Sequence, residues 1–308
     1  MNEQGEFCMK RHIMQNQVVN YAINYIISHA TEDLKVDDIA QVCGYSKYYL
    51  ERLFKAETGE SIYSYIKRLK VEQSAFRLKV EKESSVTEMG EEYGYSASNY
   101  ATLFKNHFGR TPANFRRQIR EELKHNDFFH EPEKDLLDFE ECSRNITVEE
   151  KEEYFVLYER RKGDYHNLSE NWCDFIDRYR EFITPDTLFL DVTYDDPSIV
   201  TVENCLYDVC MTVNRDDPRL KLQKTAAVGI TSRTRSETLP NTMVIPGGKF
   251  AVYHYKGYPQ LIYKAYQSVF SNWLSETGNR IDNRIGYDIY RRIDEDCYME
   301  MDICIPIR

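Results

Sequence analysis

Residues 43–59 (CGYSKYYLERLFKAETG) return without a gap, fifty positions later, as residues 93–109 (YGYSASNYATLFKNHFG), and no other feature of this 308-residue chain restricts its fold as much. Gly44, Tyr45, Ser46, Leu53, Phe54, Lys55 and Gly59 recur as Gly94, Tyr95, Ser96, Leu103, Phe104, Lys105 and Gly109. A glycine two residues before a serine reads as a tight interhelical turn. The glycine accepts the left-handed backbone that ends one helix, and the serine hydroxyl caps the amides that open the next. Leu50, Leu53 and Phe54, with Tyr100, Leu103 and Phe104 in the second copy, recur at helical spacing and predict a buried face. What is left outward is Tyr48, Glu51, Arg52 and Lys55 in the first copy, and Ser98, Ala101, Thr102 and Lys105 in the second.

A helix presenting an aromatic ring, a carboxylate and two cations fits a major groove, where arginine reads guanine and glutamate accepts from cytosine. The candidate contacts to double-stranded DNA are Lys47, Tyr48, Glu51, Arg52 and Lys55 in the first copy, and Ser98, Asn99, Thr102 and Lys105 in the second. One copy alone would leave open a surface helix of an ordinary all-α domain. Two copies, each followed by a second capped helix at Ser61 and at Thr111 with Pro112, favour a pair of helix-turn-helix units.

A net charge of −11 opposes nucleic acid only if it is spread evenly, and it is not: residues 1–125 carry 18 Lys and Arg against 17 Asp and Glu, residues 126–308 carry 22 against 34. The acidic half therefore faces away from DNA, and the near-neutral half must gather its cations on one face. Lys47, Arg52, Lys55, Lys67, Arg68, Lys70, Lys105, Arg110, Arg116, Arg117 and Arg120 are expected there. No apolar run approaches the roughly 18 residues of a membrane span, and the N-terminus lacks the apolar core of a signal peptide, so a cytoplasmic chain without a membrane partner is expected. The eight cysteines form no C-x-x-C pair. They are expected as reduced thiols, with no metal site and no cofactor.

Around the repeat, helices are predicted over residues 15–29, 36–42, 46–57, 62–80, 86–93 and 112–122. The fourth has no Gly or Pro and spans about 28 Å, close to the roughly 34 Å between successive major grooves on one side of DNA. Residues 15–120 resemble the double helix-turn-helix domain of the AraC/XylS family of bacterial transcription regulators. The likeness is carried by Asp38-Ile39-Ala40, Gly44-Tyr45-Ser46, Leu50, Arg52, Phe54-Lys55, Gly59, Tyr65-Ile66 and Arg68 in the first unit. In the second it is carried by Met89, Gly94-Tyr95-Ser96, Phe104-Lys105, Phe108-Gly109, Thr111-Pro112 and Phe115-Arg116. By this resemblance Tyr48, Glu51 and Arg52 face bases, and RNA polymerase is a further expected partner. The second unit departs from the family: its interval from Gly94 to Phe104 is one residue short, and Thr102 stands where arginine is common. Shallower reading by that unit is expected.

A second repeat occupies the other half. Lys162-Gly163 returns as Lys256-Gly257, and Tyr207-Asp208-Val209-Cys210 is echoed by Met301-Asp302-Ile303-Cys304, each 94 positions on. Each unit reads strand, helix, strand, strand: 154–160, 167–182, 188–194 and 207–213, then 249–255, 261–276, 284–291 and 298–305. Such a duplication predicts a curved antiparallel sheet with both helices on one face and a pocket between the halves. The whole reads as an all-α double helix-turn-helix domain (1–124), a polar linker (125–153) with a short helix near 136–139, and an α+β domain (154–308). The last resembles the GyrI-like effector-binding domain through Tyr194-Asp195-Asp196-Pro197, Tyr207-Asp208-Val209-Cys210, His254-Tyr255-Lys256-Gly257, Trp273-Leu274, Asp288-Ile289-Tyr290 and residues 301–307. That resemblance implies a small-molecule effector, aromatic, cationic or amphipathic, with Asp288 at the place of the family's central acid. Trp172, Tyr253, Tyr255, Tyr266, Trp273 and Tyr290 are the candidate ring contacts, by position on groove-flanking elements; aromatic faces attract a desolvated cation at roughly 0.5–2 kcal/mol each. The alternative for such rings is plain core. No nucleophile, base and orienting group fall together, and no phosphate loop is present, so catalysis is not expected.

Overall fold

The computed structural model describes residues 12–14, 16–81, 83–123, 136–165, 168–220 and 241–308. The first body is helical: α1 Gln17–Ser28, α2 Val36–Val42, α3 Lys47–Thr58, α4 Ile62–Val80, α5 Val86–Glu92, α6 Ala97–Phe108 and α7 Pro112–Leu123. Ser46, Ser61, Ser85 and Ser96 each cap the helix that follows, the hydroxyl accepting from the amide three residues on. Gly44 and Gly94 turn the chain between paired helices at φ 75° and 81°, a region costly to any residue with a Cβ. Leu50 and Phe54, and their counterparts Tyr100 and Phe104, are fully buried. α4 lies between the two units and is tied to both. Lys70 Nζ donates to the carbonyls of Glu32 (2.7 Å) and Tyr93 (3.2 Å), and the Tyr100 hydroxyl donates to Ser74 Oγ (2.9 Å).

The second body is an antiparallel sheet of β1 His12–Met14, β2 Ile146–Lys151, β3 Tyr154–Lys162, β4 Phe189–Thr193, β5 Leu206–Thr212, β6 Asn241–Ile245, β7 Gly248–Gly257, β8 Tyr287–Ile293 and β9 Met299–Pro306. The order is β1-β3-β5-β4-β8-β9-β7-β2, with β6 also on β3. Helices α8 Phe139–Asn145, α9 Leu168–Tyr179 and α10 Ile262–Ser268 accompany it, and α10 runs on through a π-helical Val269–Leu274 into Ser275–Thr277. One row of cross-strand partners crosses the sheet: Glu159, Val209, Asp191, Asp288, Ile303, Tyr253. Val209, with Leu157 and Met211, packs with Phe175 and Tyr179 of α9. Ile303, with Ala251, Met301 and Ile305, packs with Ala265 of α10. Both helices therefore lie on one face, as the duplicated unit predicts, and the two acids fall between them.

Two expectations about domain bounds are corrected. Within residues 125–153, positions 125–135 lie outside the described residues, but the rest is not a plain linker. Asp138 and Glu141 form a capping box that starts α8 at Phe139, and Ile146–Lys151 pairs with β7. The strand reads as polar because it is an edge, with Thr147, Val148 and Glu150 exposed. At the other edge, residues 12–14 pair with 160–162 of β3, so this segment, just ahead of α1, belongs to the sheet.

Candidate nucleic-acid interface and effector groove

The cap at Ser46 and the burial of Leu50 and Phe54 fix which way α3 points. Tyr48 is 81 % exposed, and Arg52 and Lys55 are exposed on the same helix. The Arg52 guanidinium lies 5.4 Å from the Tyr49 ring centroid, and Lys47 Nζ sits 2.9 Å from Asp37. Glu51 behaves differently: it is half-buried, and its Oε2 accepts from the Ile62 amide at 3.3 Å, bracing the start of α4. On α6, Ser98, Asn99, Thr102 and Lys105 are exposed, but Thr102 Oγ1 donates to the Ser98 carbonyl of its own helix (2.9 Å). Its hydroxyl is thereby turned from the surface.

Several cations expected on this face are structural instead. Arg68 pairs with Glu60 (2.7 Å) and Glu72 (2.8 Å), Lys70 is buried against carbonyls, Arg110 stacks on Phe115 and Arg116 donates to the Ser84 carbonyl. Lys47, Arg52, Lys55, Lys105 and Arg117 are the exposed ones. The side chain of Arg120 is outside the described residues. A charge count along a helical sequence does not separate these groups; their partners, 4 to 8 residues away for Arg68, do.

On the sheet face between α9 and α10, four of the expected residues come together. The Tyr266 hydroxyl donates to Asp288 Oδ1 and the Tyr290 hydroxyl to Asp191 Oδ2, both at 2.6 Å. The Trp172 ring meets Tyr290 edge-on at 5.4 Å. Tyr253, Tyr255 and Trp273 do not join them: the two tyrosines on β7 and Trp273 on the continuation of α10 are buried in one core cluster, and the Tyr255 hydroxyl donates to the Tyr258 carbonyl at 2.6 Å. Strand alternation put these tyrosines on the correct face but says nothing of their lateral position across it.

Asp191 was not foreseen. It lies directly opposite Asp288 across β4 and β8, and the two are 2 % and 3 % exposed. Burial first, and then the neighbouring Asp191, hold the Asp288 carboxyl well above the usual carboxylate range, and burial likewise raises Asp191. The signal was present in the repeat. Val209 and Ile303, 94 positions apart, face Asp191 and Asp288, 97 apart, so the halves match only if three residues are inserted between strands. A fixed interval of 94 hides that equivalence.

The two bodies are joined by buried polar contacts. Arg160, fully buried, binds Asp208 at 2.8 and 2.7 Å and reaches Asn24 Oδ1 of α1 at 2.7 Å. Lys79, near the end of α4, pairs with Asp196 (2.7 Å) and lies 3.4 Å from the Tyr263 hydroxyl of α10. Phe76 of α4 meets Phe270 edge-on at 5.1 Å, and Phe270 stacks on Tyr266 at 5.8 Å. Among the described residues no helix is long and apolar enough to cross a membrane, and no cluster of His, Cys, Asp and Glu could hold a metal ion.

Residues 39–118 match the profile of a helix-turn-helix domain, and residues 144–308 that of a GyrI-like small molecule binding domain. "Probable transcription factor PqrA" of Proteus vulgaris is 34% identical over 106 residues, 33% of this chain and 86% of that protein. "Multiple antibiotic resistance protein MarA" of Salmonella typhimurium is 31% identical over 99 residues, 32% of this chain and 77% of that protein. A solved transcriptional regulator with an AraC-type DNA-binding domain, from Chromobacterium violaceum, aligns at a TM-score of 0.32 and 29% identity, over 33% of this chain and 90% of its own.

Proposed function

The chain belongs to the AraC-type DNA-binding transcription regulators and carries a GyrI-like small-molecule-binding domain, and from that premise we propose that a cationic or amphipathic aromatic effector, held between α9 and α10, sets its grip on an operator. The observation that supports this reading is the buried acid pair of β4 and β8, ringed by Trp172 of α9, Tyr290 of β8 and Tyr266 of α10, the last on the helix whose continuation touches α4 through Phe270. The phenols of Tyr266 and Tyr290 cover the carboxyls, so a ligand enters by displacing them. Tyr266 then carries the change to Phe270 and Phe76, and α4 spaces the two reading helices.

On DNA, α3 is the main reader, with Arg52 and Tyr48 toward bases and Lys47 and Lys55 toward phosphates, whereas α6 contributes Asn99 and Lys105. RNA polymerase is the third partner in this proposal. The test is operator selection with the full chain, followed by fluorescence anisotropy with and without cationic aromatic dyes. The reading expects a dye-dependent change in operator affinity that Asp288→Asn abolishes while basal DNA binding persists. Dyes that are hydrolysed or otherwise turned over would argue for an enzyme instead, and dyes that bind without altering operator affinity would argue against a regulatory groove.

A further inference from the structure

Two acids meeting face to face across β4 and β8 run against packing: like charges directly opposite in a sheet repel, and a buried carboxylate without a partner is costly. Among the described residues no cation pairs with either carboxyl. Each has one phenol donor, and Oδ1 of Asp191 is buried with no further donor but a proton on the facing Asp288 carboxyl. The Trp172 indole nitrogen, also buried, points at the Tyr290 hydroxyl without reaching hydrogen-bond geometry. The titratable groups around the pair are Tyr266 on α10, Tyr290 on β8, and the thiols of Cys210 on β5 and Cys304 on β9, all held protonated by burial. A proton shared between the two acids then relieves their repulsion where no cation does so.

Resting on the groove proposed above, we infer that Asp191 and Asp288 together recognise a cation by its N–H donors, an amidinium, guanidinium or primary ammonium group bridging both carboxyls, and that the shared proton leaves when this ligand arrives. The balance is simple. The empty pair is one carboxylate and one carboxylic acid; the occupied pair is two carboxylates and one organic cation, with the proton released to solvent. A planar amidinium offers two parallel N–H bonds to two acceptor oxygens. A quaternary ammonium offers none and leaves Oδ1 of Asp191 unsatisfied, so the pair selects against cations that lack donors.

Isothermal titration of the full chain with benzamidine and with phenyltrimethylammonium, each in two buffers of different ionisation enthalpy, separates the cases. Benzamidine is expected to bind about tenfold tighter or more, to release close to one proton, and to tighten by up to about tenfold per pH unit while the empty pair holds its proton. Asp191→Asn removes one of the two bridging carboxylates and should shrink the preference for benzamidine at least threefold, while burial alone still lets Asp288 give up a proton. Should that variant fail to fold, the proton count on the natural chain decides alone. Equal affinity for the two cations, or benzamidine binding without proton release, overturns the inference and leaves the cation site standing. Failure of both cations to bind overturns the cation site as well.

Discussion

Carboxyls raised by burial make a statement about stability as well as about ligands. For Asp191 and Asp288 the folded chain holds protons more firmly than the unfolded chain, so stability falls as pH rises out of the usual carboxylate range toward the raised one. Asp288→Asn keeps the shape and removes the charge. It should therefore stabilise the protein at pH 8 relative to the natural chain, with the gain fading toward about pH 4.5, as read by calorimetry. A variant less stable than the natural chain at pH 8 would show that the pair is structural. At the DNA face, Arg52→Ala should cost about 1–3 kcal/mol of discrimination at one base pair, and Lys55→Ala should weaken all sequences alike and lower the salt slope. Operator affinities that treat the two variants identically would remove that division. At this scale the outward position of Arg52 was legible through helical spacing and the inward one of Asp288 through strand alternation, because each depends on neighbours in sequence. Asp191 and Glu51 were not: the role of Asp191 comes from β8 and that of Glu51 from the first amide of α4, contacts that spacing does not record.

α4 is the element where the two halves meet. It was readable to the residue, from the Ser61 cap to Val80, since nothing inside it breaks a helix. The contacts of its far end were not readable, because Phe76 and Lys79 find partners about 120 to 190 positions later in Asp196, Tyr263 and Phe270. Desolvation acts against ionised Asp196, but Lys79 and Ser198 outweigh it and hold the carboxyl below its ordinary value, so this contact is present at neutral pH and weakens as pH falls through that lowered range. Phe76→Leu keeps an apolar side chain there and removes the edge-on ring contact. It should leave basal operator affinity within about threefold while removing most of a ligand coupling of order 1–3 kcal/mol, measured by anisotropy with and without benzamidine. An intact ligand response in that variant would place the coupling elsewhere. Between the reading helices, the back-bonded Thr102 of α6 argues for unequal depth. Operator selection should return one sharp half-site and one degenerate one, and two equally sharp half-sites would contradict this.

Across the molecule, the charge imbalance and the two internal repeats foretold an all-α reading body and an acidic α+β body, and the structure has both. What they did not foretell is that the bodies are sewn together, with residues 12–14 on the edge of β3 and the buried Arg160 bonded to α1. Edge pairing by three residues and a single buried guanidinium carry no periodic signature. With the bodies joined in this way, the proposed effector control predicts a reciprocal linkage: whatever factor a ligand applies to operator affinity, the operator applies to ligand affinity. The most direct measurement is titration of benzamidine into the full chain alone and into its complex with a selected operator. A ratio of the two dissociation constants of about fivefold or more, matched by the ratio of operator affinities with and without benzamidine, is the predicted result; dissociation constants that are the same in both titrations would contradict the account.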